Sequence, residues 1–328
     1  MDGIAIVGCG RVSAMHFKGA AAGGVRVVAA CDPVAERRQW AASTYGVERV
    51  VASLDELVEV GGWRTAIVCT PTHVRTEAVR ALAAAGRDIL VEKPLADQYD
   101  EAAALVTIAR EAGVRLAVNQ NFRHFDPFGA ARELIAGGAI GNVLGVLHRD
   151  LTYRQEEGWR NSAARHALSV MGVHWLDGFR HMLDREADTV FGRVLSSPAL
   201  DAAGDTDAHV QLAFGAATVT YVQSFSSRVK ATDTVVIGER GTLALGYTGA
   251  TLTTVDGETA VPHPYAGDKP SAAYRSLRDL LDAAAAGHEA PNSGRDNLHT
   301  IALLDAAYRS AGAGRPVSPH QPREAVAP

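Results

Sequence analysis

The sequence predicts two successive folds: an α/β domain on a doubly wound parallel sheet, then an α+β domain on an antiparallel sheet. Three observations carry this. In the first 120 residues, short unbroken apolar runs alternate with longer Ala-rich amphipathic segments. From residue 189 to 255, strand-like runs follow one another with only Gly and Asp punctuation. A chain of 328 residues also exceeds what one ordinary core takes up, so two domains are expected.

In the first domain the predicted strands are 4–7, 25–31, 66–69, 89–91 and 115–118. Most are continuous in Val, Ile and Ala, as parallel strands buried on both faces require. The helices predicted between them are 12–22, 35–44, 54–58, 74–85 and 99–112, which makes a series of right-handed βαβ units. After Phe122 the pattern changes. A helix at 128–136 stops at Gly137-Gly138, and a strand follows at 143–151. A polar, aromatic loop at 153–161 leads into a long helix at 166–183. Strands are predicted at 190–195, 208–214, 217–225, 232–238, 241–247 and 250–255. Their close spacing leaves no room for crossover helices, so they pair antiparallel. Helices at 271–286 and 294–311 close the domain. The expected boundaries are 1–122, 123–312 and a Pro-rich, poorly ordered tail at 313–328.

Composition narrows the function. The formal net charge of −5 supplies no broad cationic field, so no nucleic-acid partner is expected. No apolar run approaches the roughly 18 residues of a membrane span, and the N-terminus lacks a signal-peptide pattern, so a cytoplasmic protein is expected. The cysteines, Cys9, Cys31 and Cys69, are odd in number, form no CxxC pair and end apolar runs. They read as small, buried, reduced residues. The 12 histidines include no HExxH and no ligand-like cluster, so no metal is expected. Of 32 cationic residues only four are lysines (Lys18, Lys93, Lys230 and Lys269), so a Lys in a special setting stands out.

The first motif is Gly8-Cys9-Gly10-Arg11-Val12-Ser13. It follows the first strand and opens the first helix, where a dinucleotide fingerprint belongs. Gly8 permits the tight turn and Gly10 the approach of backbone to pyrophosphate, with Arg11 and Val12 completing the turn. The helix start adds N–H groups and a positive dipole. Asp32 ends the second strand, 22 residues after Gly10, where a carboxylate binds the ribose hydroxyls. The alternative is a glycine turn without a ligand. A carboxylate at position 32 repels a 2′-phosphate, so NAD is favoured, with NADP possible; Arg37 and Arg38 read as solvent-facing helix residues. Thr70, Pro71 and His73 form a strand-to-helix turn on the nicotinamide side of the cleft, with His73 either a ligand contact or a helix-start residue. Glu92-Lys93-Pro94 ends another strand at the carboxyl edge that faces the crevice. Lys93 reads as a site residue there and Glu92 as a hydrogen-bond acceptor, against a plain solvated ion pair.

The motifs GCGRVSAMH, CTPTH, VEKPLA and GVHWLD, in that order and spacing, resemble the Gfo/Idh/MocA family of NAD(P)-dependent oxidoreductases. The resemblance runs from Ile4 to about Val317. It implies an N-terminal Rossmann domain and a C-terminal domain on a large, open, mostly antiparallel sheet, commonly the oligomer interface. It implies hydride transfer between NAD(P) and an alcohol or carbonyl carbon of a sugar or cyclitol, by a homodimer or homotetramer. Lys93 matches the family's catalytic lysine and His174 its catalytic histidine. Many members carry an Asp four residues before that histidine, where this chain has Val170. His174 is then either the proton-exchanging group or a core histidine on an apolar helix face. Asp177 reads equally as a substrate contact or a structural carboxylate. Asn121 and Arg123 fall in a segment that lines the family's active site. Tyr153 and Trp159 belong to a loop that suits a carbohydrate pocket, or is merely exposed. The expected function is oxidoreduction at a secondary alcohol or ketone carbon of a sugar, cyclitol or aminocyclitol. The alternatives are a cofactor-binding regulator without turnover and a reductase of imines or non-sugar carbonyls.

Overall fold

The structure, a computed structural model, describes residues 3–246, 249–261 and 268–319, without the side chains of residues 126, 127 and 159. Its elements begin with β1 (Gly3–Val7), α1 (Ser13–Ala22), β2 (Val27–Cys31), α2 (Ala35–Tyr45), β3 (Arg49–Val51), α3 (Leu54–Val60), β4 (Trp63–Val68), α4 (Thr72–Ala84), β5 (Asp88–Val91), α5 (Tyr99–Glu111) and β6 (Leu116–Val118). A 3₁₀ turn, Asn121–His124, follows. Then come α6 (Asp126–Ala136), β7 (Val143–Tyr153), a π-helical turn at Leu168–Gly172, and α7 (Val173–Leu183). Strands β8 (Thr189–Leu195), β9 (Asp207–Phe214), β10 (Ala217–Ser224), β11 (Ser226–Gly238), β12 (Gly241–Leu245), β13 (Ala250–Thr254) and β14 (Gly257–Val261) precede α8 (Lys269–Ala286) and α9 (Gly294–Ala313).

The chain divides into two compact units, Met1–His124 with Ala266–Leu298, and Phe125–Tyr265 with His299–Pro328. The sequence reading ran the second domain unbroken from 123 to 312, but α8 and the start of α9 belong to the first unit. The cause is visible in packing: Leu277, Leu280 and Ala283 of α8 join Phe17, Ala20 and the strands β1, β2, β4 and β5 in one core cluster. Short amphipathic helices carry no label for the sheet they cover, so this return was not readable. Residues 320–328 of the predicted tail lie outside the described residues.

In the first unit the sheet order is β3-β2-β1-β4-β5-β6, all parallel. The order reverses at β1, the topological switch where doubly wound sheets open a ligand crevice. Register then does the rest. Cys31 pairs with Val7, Val7 with Val68, Val68 with Val91 and Val91 with Val118. The strands therefore finish level, and Asp32, Gly8, Cys69, Glu92 and Asn119 emerge side by side. Backbone bonds continue one residue past the strands: Cys69 N–H to Val7, Glu92 N–H to Val68 and Asn119 N–H to Val91, at 2.7–2.9 Å. The short strand β3 was not predicted; three residues, Arg49–Val51, are too few for a periodic signal.

The second unit holds an eight-stranded sheet, β14-β13-β12-β11-β7-β10-β9-β8, antiparallel except between β7 and β10. Val146, His148 and Asp150 alternate onto its buried face. Helix α7 covers them: the Trp175 ring lies 4.2 Å from that of His148, and its indole N–H donates to Asp150 at 2.9 Å. Phe179 and Tyr221 complete the aromatic cluster around His148. Strand β14 was also missed, since GETAV has little strand signature. The predicted helix 166–183 is not uniform either, because its first turn is π-helical.

His148 bonds Thr234 at 2.7 Å through its ring, and burial, against a weaker pull from the Asp233 main chain, lowers its pKa from 6.5 to about 3. Between pH 3 and 6.5 the unfolded chain thus binds a proton at this residue that the native state refuses. Stability is complete above pH 6.5 and falls as pH drops through that window. Burial lowers His166 in the same sense. Replacing His148→Phe should flatten the slope of unfolding free energy between pH 4 and 6 by about 1.4 kcal/mol per pH unit, read by urea titration at a series of pH values.

Candidate active site

The row of strand ends in the first unit builds the site. Gly8 has φ +90°, and a Cβ there would also sit 3.2 Å from the Cys69 backbone, so only glycine suits the turn. Gly10 differs: no atom lies within 4 Å of where its Cβ would be, which leaves open space over the turn. Ser13 closes the turn, its hydroxyl donating to the Gly10 carbonyl at 2.7 Å. Helix α1 has Val12 at its N-cap and no side-chain cap bond, so the helix start keeps its anion-attracting character.

Asp32 is buried. Its carboxylate accepts the Cys9 N–H at 2.8 Å and the Val34 N–H at 2.9 Å, and so braces the glycine turn against the β2 end. Two ionised oxygens offer about four acceptor positions, so two remain for a ribose diol. Arg37 stands 3.7 Å away, largely exposed. Arg38, expected to face solvent, instead turns back and donates to the Asp32 and Pro33 carbonyls at 2.8 and 3.0 Å. Burial, reinforced by Asp32, pushes Cys9 up to about 12 and Cys31 up to about 11; burial also raises Cys69. These thiols are protonated and poor nucleophiles at neutral pH.

Glu92 is an internal tie. Its carboxylate pairs with His16 of α1 at 2.7 Å and accepts the Asn119 amide at 2.7 Å. Burial alone would raise its pKa, but the bond and charge of His16, the charge of Lys93 and the Asn119 amide outweigh it and hold the group ionised. The sequence reading gave Glu92 to the cofactor. In the structure its contacts are to the protein, joining α1 to the ends of β5 and β6, with half-buried Lys93 next in the chain. The Lys93–Pro94 peptide is cis.

Sequence reasoning missed Arg75. This buried α4 residue donates to the Thr70 carbonyl at 2.9 Å, to Leu95 at 3.2 Å and to Pro94. Thr72 adds a bond to Asp97 at 2.8 Å. Together they lace the CTPTH turn to the EKPLA turn. Burial, countered by Glu92, Asp97 and Cys69, lowers Arg75 to about 10, so it stays cationic. Thr70 and Pro71 are half-buried and His73 is exposed. The Thr70 hydroxyl and both ends of the Gln120 carboxamide are buried without a hydrogen-bond partner among the described residues. Orphaned polar atoms beside an open glycine turn and an uncapped helix fit a polar, anionic dinucleotide.

Asn121 is buried with its amide 3.9 Å from the Met15 sulfur, and Arg123 bonds Asp296 at 2.5 Å and the Pro291 carbonyl at 3.0 Å. In the second unit His174 is buried on α7, two residues after the π turn ends. Asp177 accepts from Thr300 at 2.7 Å and faces Arg180 at 3.6 Å. Arg180 in turn holds Glu186 through two 2.6 Å bonds. Of the two readings of Asp177, these bonds favour the structural one, a tie from α7 to α9. Tyr153 lies under the Arg228 guanidinium, 3.6 Å from the ring centre, and its hydroxyl donates to Ala199. The Trp159 side chain lies outside the described residues. No cluster of three or more metal-ligating side chains occurs among the described residues, and none of their helices is long and apolar enough to cross a membrane.

A doubly wound sheet with a glycine turn at its switch and an acidic residue ending the second strand defines a dinucleotide-binding fold. The chain belongs to the Gfo/Idh/MocA oxidoreductase family: residues 3–120 match its NAD-binding Rossmann domain and residues 128–244 its C-terminal domain. It is 34% identical to a myo-inositol dehydrogenase from Streptomyces leeuwenhoekii, over 96% of this chain and 99% of that one. It is 28% identical to an inositol 2-dehydrogenase from Rhizobium meliloti, over 95% and 98%. A levoglucosan dehydrogenase solved with NADH and levoglucosan shares the fold at a TM-score of 0.88 and 20% identity, covering 97% of this chain and 99% of that one.

The two glycines make a paired test. Gly10→Ala should leave the melting temperature close to wild type while weakening dinucleotide binding at least about tenfold, because the methyl occupies only ligand space. Gly8→Ala should lower the melting temperature itself. Calorimetric melting and coenzyme titration of both variants check this.

Proposed function

We propose that this oxidoreductase transfers hydride between a nicotinamide coenzyme and a secondary alcohol or ketone carbon of a sugar, cyclitol or aminocyclitol. The observation that carries the reading is the setting of Lys93, at the end of β5 in the row of strand ends that includes the glycine turn, beside the braced Glu92. The inositol-oxidising relatives support the substrate class. When bound, the coenzyme supplies the ring that exchanges hydride. The chain supplies the rest. Gly10 and the start of α1 receive the pyrophosphate. Lys93 donates to the reacting oxygen and offsets negative charge developing on it. His174 exchanges the hydroxyl proton. Asn121, Arg123, Tyr153 and Trp159 remain candidates for substrate contact, and Thr70, Pro71 and His73 for the coenzyme.

NAD is the favoured coenzyme because the Asp32 carboxylate repels a 2′-phosphate; exposed Arg37 is the feature that works the other way. We also take the protein to act as a cytoplasmic homodimer or homotetramer. Leu147 and Ile237 support an interface, since the β7–β11 register puts both on the exposed sheet face.

Absorbance at 340 nm across a panel of sugars, inositols and aminocyclitols tests the reading. Wild-type protein should turn over at least one polyol. Lys93→Met and His174→Ala should each lower kcat about a hundredfold or more, with coenzyme affinity little changed. An inert wild type that still binds coenzyme would instead favour a regulator without turnover. Near-normal turnover in either variant would remove that residue from the chemistry.

Coenzyme choice has its own test. Asp32→Asn keeps one oxygen for the Cys9 amide but loses the charge, so the preference for NAD over NADP should narrow in kcat/KM. A wild type that strongly prefers NADP overturns the role given to Asp32 and moves attention to Arg37.

A further inference from the structure

The second unit contains a buried imidazole, His166, that takes no part in the proposed hydride-transfer chemistry. His166 is 1% exposed, and neither ring nitrogen has a hydrogen-bond partner among the described residues. Its place is nonetheless tightly built. The Asp205 carboxylate accepts the His166 N–H at 2.8 Å and the Leu168 N–H at 2.9 Å, and its main-chain carbonyl accepts the Ala167 N–H at 2.9 Å. Tyr308 donates a further 2.7 Å bond to that carboxylate. Asp205 is thus committed to fixing the backbone at the entry to the π turn. Its carbonyl also stands close enough to the ring to favour the charged form, though without hydrogen-bond geometry to either nitrogen. Phe225 meets the ring edge to face at 5.4 Å.

Besides Phe225, charged groups act on the ring. Glu156, itself buried, and Arg154 both act electrostatically on His166, and they form an ion pair with each other. Arg154 also lies over Phe225, 5.1 Å from its ring centre. Its side chain is about a third exposed, which makes it the solvent side of the cluster. Burial keeps the imidazole neutral despite Asp205 and Glu156, so one nitrogen donates and the other accepts. A rigidly placed ring with both functions unmet calls for a partner of matching chemistry. A hydroxyl group, donor and acceptor in one, is that match. A neighbouring hydroxyl would find the Glu156 oxygens and the Arg154 N–H groups.

We propose that His166 binds a hydroxyl of the polyol substrate, together with the Arg154–Glu156 pair, and so determines which polyols this enzyme accepts. The ligand enters past Arg154. His166 immediately precedes the helical stretch that runs through the π turn to His174, so a specificity residue stands at the entry to the element that carries the proposed proton-exchanging residue. This inference rests on the polyol-oxidoreductase reading given under Proposed function.

The test uses full-length protein with NAD and the polyol that wild type turns over best. His166→Phe keeps a flat ring against Phe225 and removes both nitrogens. KM for the polyol should rise about tenfold or more, as for one lost hydrogen bond, while kcat stays within about threefold and KM for NAD is unchanged. The melting temperature should hold or rise, since two unmet buried nitrogens are gone. His166→Gln, which restores a donor and an acceptor, should recover part of the affinity. A folded His166→Phe with unchanged polyol KM overturns the inference and leaves the wider reading standing; a ring satisfied only by buried water predicts that result. Should His166→Phe fail to fold, wild-type protein carrying ¹⁵N-labelled histidine decides the matter. Its His166 ring signals should shift when the same polyol is added to the NADH complex, and their failure to move overturns the proposal. A wild type that neither turns over nor binds any polyol sinks the underlying reading and this inference with it.

Discussion

The level finish of five parallel strands is the constraint on which the first unit depends. Once Cys31, Val7, Val68, Val91 and Val118 are in register, the next residue of each strand has little choice of position. Asp32, Gly8, Cys69, Glu92 and Asn119 then become neighbours, although 111 positions (119 − 8) separate the first of them in the chain from the last. Asp32 and Glu92 tie the row together. Asp32 holds the Cys9 amide, and Glu92 joins Asn119 to His16. A slip of one residue in any pair would turn these groups onto the other face of the sheet.

Much of this was legible because it is local. Strand, turn and helix around Gly8 to Ser13 occupy a dozen residues, and the spacing from Gly10 to Asp32 follows from one βαβ unit. Lys93 stood out through the scarcity of lysine and the proline behind it. Arg75 was hidden because its meaning is two loops meeting: nothing in VRTEA says that the side chain will reach the carbonyls of Thr70 and Leu95. Glu92 was legible as a hydrogen-bond acceptor but not its partner His16, since that tie spans 76 residues. His16 lies within the GCGRVSAMH motif, yet its partner cannot be inferred from that stretch.

The second unit shows a different limit. Weighing Val170 as the residue one turn before His174 presumed α-helical spacing. Residues 168–172 instead form a π turn, which adds a residue to the turn and rotates what precedes it. An argument from i−4 spacing therefore loses its geometric footing at this site. Asp177 shows the converse: its helical neighbour Arg180 stands three residues on, where regular α-helical spacing puts it, 3.6 Å away.

The cross-brace made by Arg75 has a mechanical consequence. A guanidinium is a flat fork with donors at set angles, so its bonds to Thr70, Pro94 and Leu95 also fix the separation of the two turns. The turns after β4 and β5 cannot drift independently; an error in one is passed to the other as a rigid displacement. A lysine there would preserve the charge and lose the alignment. In a chain where arginine is the common cation, this one arginine thus cannot be exchanged for lysine without loosening both turns.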